Sequence, residues 1–427
     1  MEKTSFSKIK YYRSNYGRII ENFFSLSVLN AVSFIFPLIT VPYLARVLGA
    51  EKFGIVSFAT VVIQYFMIFT SFGFGFSATQ QISINQQNKK KVSDIFAAVI
   101  FVKLFISVLC AVVLLLLIVF FAKFHNNSMV LIYAFGMVIG DALVPVWLFQ
   151  GMEKMKFITI VNLVSKLIFT LLIFVFIRSE ADFLYVTLLN SFGYLVAGLL
   201  SFIIAYRLFK LEMVFPKITE IKKQLIESWP IFVSTFSINI YRNMNVLILG
   251  LFTNMTLVGY YSSAEKVIKG MQSFASPLSD ALFPYISKRF AKNTEGSNIK
   301  VLFRLGSYYF VGLAALSVLF LIFAKPIATV FLGQKFIASI PDIQIMSFVI
   351  MFGGMNYLLG IVGLVNMGFK KKFMVFVAIT GVISIINLFW LVYYFADKGA
   401  SASMLISEFV LFVLLSAFIL KLKKVNG

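Results

Sequence analysis

Apolar stretches long enough to cross a membrane fill nearly all of this 427-residue chain. Each contains roughly 20 residues, the length at which a helix spans a hydrocarbon core of about 30 Å. Lipid offers no hydrogen bonds, so a charged side chain inside such a stretch needs a partner, a cavity or a bound molecule. The sequence therefore predicts an all-α integral membrane protein, and the few charges within its spans become the candidate functional residues.

The distribution of apolar residues predicts about 12 spans. They cover 24–45, 53–76, 95–122, 129–150, 158–177, 184–206, 229–252, 258–284, 305–323, 342–366, 374–395 and 402–420. Roughly 26 Lys and Arg residues lie in the two terminal segments and every second loop, whereas the other loops hold roughly 7. This positive-inside asymmetry places both termini in the cytoplasm, and we expect a multi-pass protein of the bacterial cytoplasmic (inner) membrane.

Composition and motifs exclude several other classes of protein. Charged residues make up 13% of the chain, about half the fraction of a soluble domain. The net charge of +21 would suggest nucleic-acid binding in a soluble protein, but here the basic residues lie in short loops, so we expect no nucleic-acid partner. The single Cys110 lies in a span and the single His125 in a loop. Without a P-loop, dinucleotide turn, HExxH or CxxC, we expect no enzyme, metal or cofactor.

The longest central loop divides the spans into two sets of six. The predicted segments are a cytoplasmic segment 1–23, an N-lobe 24–206, a central cytoplasmic loop 207–228, a C-lobe 229–420 and a cytoplasmic tail 421–427. A short internal repeat supports the division, because Gly54-Ile-Val-Ser57-Phe-Ala59 opens span 2 and Gly259-Tyr-Tyr-Ser262-Ser-Ala264 opens span 8. Polar residues continue both at helical spacing, pairing Ser57, Thr60, Gln64 and Ser71 with Ser262, Glu265, Lys269 and Ser276. Two such repeats with a passenger site between them are a recurrent transporter plan.

Five basic residues lie within the spans: Lys103, Lys166, Arg242, Lys266 and Lys269. Burying an ionised side chain there costs about 2.5–3.5 kcal/mol on insertion scales, so its retention suggests a partner or a use. Arg242 and Lys269 lie too deep to reach the headgroups easily, and we interpret them as part of a cationic binding site. Lys103 and Lys166 lie about two turns from the cytoplasmic ends of their spans, so snorkelling to the interface is the alternative for these two.

Span 8 carries a polar stripe on one face, consisting of Ser262, Glu265, Lys269, Gln272, Ser276 and Asp280. Such a helix cannot face lipid, and the stripe favours a water-filled cavity with net positive charge. The alternative is structural, because Glu265 and Lys269 can pair at i,i+4. Asp141 and Glu408 have no charged neighbour within one turn. Each either pairs with a cation on another helix, such as Lys166, or, with Glu265, contributes to a proton or sodium coupling site.

Two motifs stand out among the apolar residues of the N-terminal half. The first runs from Pro42-Tyr43-Leu-Ala45-Arg46 through Gly49 and Gly54 to Ser71-Phe72-Gly73-Phe74-Gly75. The second is Trp147-Leu-Phe-Gln150-Gly151-Met-Glu-Lys-Met155. Both resemble the Wzx-type flippases of lipid-linked oligosaccharides, and the second, which is similar to that family's pattern W-x-x-Q-G-x-x-x-M, is the more specific. The resemblance implies the fold of the multidrug and oligosaccharide exporter superfamily, with two six-helix lobes in a V around a central cavity.

The resemblance also implies a passenger, an undecaprenyl-pyrophosphate-linked oligosaccharide moved to the outer leaflet by alternating access for O-antigen or capsule synthesis. Membrane lipids, a polysaccharide polymerase and a chain-length regulator are the implied partners. The pyrophosphate would be attracted by the five buried cations, with Arg46 near the outer face holding a loop or receiving substrate late. Polar lining would come from Ser57, Thr60, Gln64, Ser262, Gln272 and Ser276.

Two other functions remain open on the sequence. A cation-coupled multidrug exporter of the same fold would be expected to have an acidic central cavity, whereas five basic residues lie within these spans. A non-transporting membrane scaffold for glycan assembly would tolerate neutralisation of every buried cation. Neither the sugars of the passenger nor the energy source follows from the residues.

Overall fold

The computed structural model describes the backbone of residues 2–212, 214–290 and 295–426. Side chains are described for residues 36, 38–212, 214–237, 239, 243–272, 298–299 and 301–423. Of the predicted site residues, the side chains of Arg242 and Ser276 lie outside the described set. The same applies to Asp280 at the far end of the span 8 stripe.

Throughout the described residues the regular structure is helical. The α-helices are α1 (Glu2–Ser71), α2 (Phe74–Ile84), α3 (Lys89–Phe120), α4 (Ala122–His125), α5 (Ser128–Leu143), α6 (Val146–Gly151), α7 (Met155–Phe176), α8 (Phe183–Leu208), α9 (Ile218–Phe252), α10 (Met255–Phe290), α11 (Glu295–Ile322), α12 (Ala324–Pro326), α13 (Ile340–Asn356) and α14 (Lys370–Asn426). Two 3₁₀ turns, Glu180–Asp182 and Gln334–Ser339, and two π-helical turns, Ile327–Leu332 and Tyr357–Val365, complete the described elements.

Among the described residues, 8 stretches are long and apolar enough to cross a membrane. Two of them are long enough for two crossings each, Leu38–Ile84 with 47 residues and Lys370–Lys423 with 54, because about 20 residues span a core of about 30 Å. The expectation of an all-α, multi-pass membrane protein is confirmed. The number of 12 crossings and the cytoplasmic termini stay predictions.

Bends inside the long helices coincide with predicted span boundaries. In α1 the chain turns at Gly49, whose φ of 69° suits a residue without a Cβ. In α14 it turns at Ala396, with φ 51° and ψ −123°. The predicted span 129–150 is interrupted at Pro145, which separates α5 from α6 because proline cannot continue the hydrogen-bond ladder of α5.

The described chain forms two compact units. The first contains Met1–Phe36, Val62–Arg178 and Asp182–Phe236, and the second contains Pro37–Val61, Ser179–Ala181 and Ser237–Gly427. The second unit therefore combines the C-terminal half with two pieces of the N-terminal half. The two-lobe division at 207–228 stays a prediction about the repeat in the sequence.

Helix α9 begins at Ile218, inside the predicted central loop, and polar contacts within the first unit explain its extra turns. The buried Ser228 hydroxyl lies 2.5 Å from that of Ser77 on α2. The side-chain amides of Gln81 and Gln224 exchange two hydrogen bonds of 3.0 and 2.8 Å. These partners allow a helix turn with polar side chains to be buried, which an apolarity pattern does not predict.

Candidate functional site

Two glycines of the predicted repeat lie where α1 and α10 cross in the second unit. A Cβ on Gly54 would stand 1.8 Å from the carbonyl oxygen of Met255, and one on Gly259 would stand 1.9 Å from that of Ala50. Each glycine therefore packs against the carbonyl four residues before the other glycine. This reciprocal arrangement has the form of a local two-fold axis, which relates the two copies of the sequence repeat.

The local symmetry is broken by the cation of Lys266, which lies about two turns after Gly259 on α10. The Lys266 Nζ donates a hydrogen bond of 3.0 Å to the buried Ser57 hydroxyl and lies 4.5 Å from the centre of the Phe53 ring. By the repeat, Ser57 corresponds to Ser262, and Lys266 corresponds to Val61. The buried Ser262 hydroxyl accordingly has no hydrogen-bond partner among the described residues.

A second cation belongs to a hydrogen-bonded network on α9 and α10. The Lys269 Nζ lies 2.9 Å from Oε1 of the buried Glu265 and donates to Oδ1 of Asn243 at 3.4 Å. The Tyr261 hydroxyl donates to Glu265 at 3.3 Å and accepts from Nδ2 of Asn245 at 2.8 Å. The predicted i,i+4 pair is thus formed, and Tyr261 and Asn245 fix the orientation of its carboxylate.

These side chains give the cluster an excess of positive charge. Among the described residues, Lys269 pairs with the carboxylate of Glu265 and Lys266 lies close enough to feel its charge, so these three groups together carry one net positive charge when ionised. The Lys269 side chain is 38% exposed, whereas that of Glu265 is 8% exposed, so the cation is the accessible end of the pair. An anionic group can therefore approach Lys269 without displacing Glu265.

The other predicted residues of the second unit are in varied environments. Gln272 donates from Nε2 to the carbonyl of Val349 at 2.8 Å. The carboxylate of Glu408 accepts from Nδ2 of Asn356 at 2.7 Å, which joins α14 to α13. The Thr60 hydroxyl donates to the carbonyl of Val56 in its own helix. Arg46 is exposed and donates to the carbonyl of Val330, a contact that holds the turn Ile327–Leu332 against α1.

In the first unit, Lys103 is buried beside Asp141. Its Nζ donates to the Asp141 carbonyl oxygen at 2.9 Å and lies 3.8 Å from the carboxylate Oδ2. This contact joins α3 to α5 and shows Asp141 paired across helices with Lys103. The side chain of Lys166 on α7 is partly buried, and Gln64 is exposed.

The Lys103–Asp141 contact allows a test of whether this cation acts in binding or in structure. We expect Asp141→Asn to destabilise the purified protein by about 1–3 kcal/mol, because it leaves a buried ammonium without its counter-charge. The double variant Lys103→Met/Asp141→Asn should recover most of that loss in a thermal unfolding measurement. If the double variant keeps the transport activity that the family resemblance implies, the pair is structural, and loss of that activity at wild-type stability would assign Lys103 to binding.

The sequence interpretation missed several partners in the Lys269 network. Asn243, Asn245 and Tyr261 were not singled out, although both asparagines are polar residues inside an apolar span. That signal alone could have identified them, since an amide in a membrane helix needs a partner. Tyr261 carries no comparable signal because tyrosine is frequent in membrane helices.

Comparison with known proteins agrees with this fold and these motifs. A family model described as "Polysaccharide biosynthesis protein" matches residues 19–290. A "Putative O-antigen transporter" of Escherichia coli (strain K12) is 27% identical over 398 residues, covering 93% of this chain and 96% of the relative. A protein of the same name from Shigella dysenteriae is 25% identical over 406 residues, covering 95% and 100%.

Solved structures show the same fold. The inward closed conformation of the lipid II flippase MurJ superposes with a TM-score of 0.74 at 13% identity, covering 94% of this chain and 90% of that one. An inward-facing multidrug MATE transporter of the MOP superfamily gives a TM-score of 0.63 at 14% identity, covering 95% and 100%. The MATE-like fold and the Wzx-type resemblance are thus confirmed, and the chain belongs to the polysaccharide biosynthesis protein family.

Proposed function

We propose that this protein is a flippase that moves an undecaprenyl-pyrophosphate-linked oligosaccharide from the inner to the outer leaflet of the bacterial cytoplasmic membrane. The observation that carries the proposal is the cation-rich cluster around Lys266 and Lys269 on α10, which packs against the apolar stretch Leu38–Ile84 through the contact of Lys266 with Ser57. The relatives named as O-antigen transporters and the structural likeness to a lipid II flippase support the same class of passenger. No catalytic role is proposed for any residue.

The passenger's chemistry explains why such residues would be retained. Pyrophosphate and sugar hydroxyls lose their hydrogen bonds to water in lipid, and each unpaired polar group costs several kcal/mol there. The ammonium groups of Lys266 and Lys269 and the guanidinium of Arg242 would replace water around the pyrophosphate. Hydroxyl and amide side chains such as Ser57 and Gln272 would replace water as hydrogen-bond partners of the sugar hydroxyls. The polyprenyl tail would remain in the bilayer.

Transport requires that two states of the protein bind the passenger with different affinity. In the proposed cycle the cluster binds the pyrophosphate from the cytoplasmic side and releases it to the outer side. A proton or sodium ion bound by Glu265 or Glu408 would supply the energy, whereas Asp141 would serve as the counter-charge of Lys103. A polymerase and a chain-length regulator would act on the passenger after its release.

Vesicles reconstituted with the full chain and an undecaprenyl-pyrophosphate-linked oligosaccharide test the proposal. Translocation is measured as the fraction of sugar that a membrane-impermeant glycosidase can reach. We expect wild-type protein to move the glycolipid, and Lys269→Gln and Arg242→Gln each to slow it at least tenfold at unchanged abundance. Arg46→Gln, near the predicted outer face, should have a smaller effect.

Two outcomes would contradict the proposal. If the wild type moves a fluorescent organic cation but not the glycolipid, the protein is a multidrug exporter. If neither moves while the protein remains folded and polysaccharide assembly in cells still requires it, the scaffold function is favoured. Full activity of the Lys269→Gln and Arg242→Gln variants would remove the cationic cluster from the mechanism.

A further inference from the structure

A pair of buried carboxyl groups lies in the second unit, apart from the lysine cluster. Asp342, in the first turn of α13, is fully buried, and Asp397 on α14 is 6% exposed. The hydroxyl of Ser401, one turn after Asp397, donates to Oδ1 of Asp342 at 2.7 Å. Because Asp397 and Ser401 lie on the same face of α14, both side chains are presented to Asp342.

The second oxygen of Asp342 has an unusual environment. Its Oδ2 is buried, and no N–H or O–H group of the described residues donates to it. The carboxyl group of Asp397 lies within hydrogen-bonding reach of Asp342. Two ionised carboxylates offer four acceptor oxygens and no donor, so this contact is repulsive unless one group carries a proton.

We propose that Asp342 and Asp397 form a binding site for one proton, which is shared between the two carboxyl groups. The proton bonds to one carboxyl oxygen and is donated to a carboxylate oxygen of the other aspartate, leaving the pair with one negative charge. Its release to water leaves two negative charges in a site with almost no solvent contact. In the predicted topology the pair lies at the outer ends of spans 10 and 12, the side from which an inward proton gradient supplies protons.

The charged and titratable neighbours of Asp342 are few. Lys398, next to Asp397 on α14, attracts the negative charge. Tyr261 on α10 is close enough for its hydroxyl to experience the charge of Asp342, and the same hydroxyl donates to Glu265. Proton occupancy of the pair therefore changes the electrostatic potential beside the Glu265–Lys269 pair. A role for this effect on the Glu265–Lys269 pair rests on the proposed function, whereas the proton site itself does not.

Infrared spectroscopy of the purified full chain tests the proton site directly. A protonated buried carboxyl group has a C=O stretching band that an ionised one lacks. At neutral pH we expect the wild type to show one such band that is absent from both Asp342→Asn and Asp397→Asn. In each variant the asparagine amide can donate to the remaining carboxylate, which then needs no proton. Asp141→Asn is the matched control, because Asp141 has the Lys103 ammonium beside it, and the band should persist.

A stability measurement provides a second readout that does not involve transport. The folded pair binds a proton that the unfolded chain releases above about pH 4, so raising the pH should destabilise the wild type. We expect the unfolding equilibrium constant to rise by up to about tenfold per pH unit while the proton remains bound. This slope should be lost in Asp397→Asn. Ser401→Ala, which keeps both acids, should retain both the band and the slope.

The outcomes separate this proposal from the alternatives. Spectra in which neither aspartate variant loses a carboxyl band, together with unchanged pH dependence, would overturn it. Stabilisation of the wild type by sodium at constant pH and ionic strength, absent in Asp397→Asn, would also overturn it, in favour of a sodium site. Because neither readout uses the glycolipid, failure here is distinguishable from failure of the flippase function.

Discussion

Replacing Gly259 by alanine should remove most of the folded protein from the membrane. The added Cβ would stand 1.9 Å from the carbonyl oxygen of Ala50, far inside van der Waals contact, and this neighbour is backbone. Relief requires α1 and α10 to move apart, with loss of the Lys266–Ser57 hydrogen bond, which lies about two turns beyond Gly259 on α10. We expect a loss of more than about 3 kcal/mol, at the upper end of overpacking effects. Gly54→Ala should have an effect of similar size, because its Cβ would stand 1.8 Å from the carbonyl oxygen of Met255.

Gly312→Ala is the matched control for this prediction. Gly312 lies inside α11, and among the described residues no atom beyond its chain neighbours and the backbone of its own helix lies within 4 Å of the position of its Cβ. Alanine there should be neutral or stabilising by up to about 1 kcal/mol, since glycine is the poorer helix former. Membrane abundance and thermal unfolding of the three variants measure the difference. Wild-type behaviour of Gly54→Ala and Gly259→Ala would show that the crossing of α1 and α10 is not as close as described.

The sequence predicted the helical membrane class and the repeat because both depend on local patterns. Apolar length identifies spans, and the Gly-x-x-Ser-x-Ala match identified the two glycines that meet at the crossing. That the two copies pack against each other did not follow, because a repeat in sequence does not specify which surfaces touch. The partners of charged residues were equally hidden. Asp141 pairs with Lys103, 38 residues away, and no periodicity links two helices at that distance.

Buried polar groups mark the places where the sequence interpretation was incomplete. The stripe of span 8 was visible because its residues follow the helical period. Asp342 and Asp397 were not singled out, since each lies at a predicted span end, where an acidic residue is normally solvated. Only the fold buries both and places Ser401 beside them. The lysine cluster and the aspartate pair therefore differ in how much of each could be predicted.

Lys266→Met should abolish polysaccharide export while leaving the protein at least as stable as the wild type. The Lys266 ammonium lies in a partly buried position with the Ser57 hydroxyl and the Phe53 ring as neighbours. Its desolvation is costly, and methionine has a similar length without the charge. Replacing buried charge with a well-packed apolar side chain is often neutral or stabilising. We expect a gain of about 1–2 kcal/mol in thermal unfolding and at least a tenfold loss of export in a host lacking its own copy of the gene.

The combination of a stability gain with a functional loss is what separates binding from structure at this position. If Lys266 served only to pack helices, Lys266→Met would lower the stability of the protein. Export would then fall only as far as the folded fraction falls. Ser57→Ala is the comparison variant, because it removes one hydrogen bond worth about 1 kcal/mol and keeps the charge, so export should fall much less than in Lys266→Met. The repeat offers further support, since Val61 is the counterpart of Lys266 and shows that an apolar residue fits the equivalent helix position. Export at the wild-type level by Lys266→Met would mean that this cation is not needed for the passenger, and the positive character of the described cluster would then rest on Lys269.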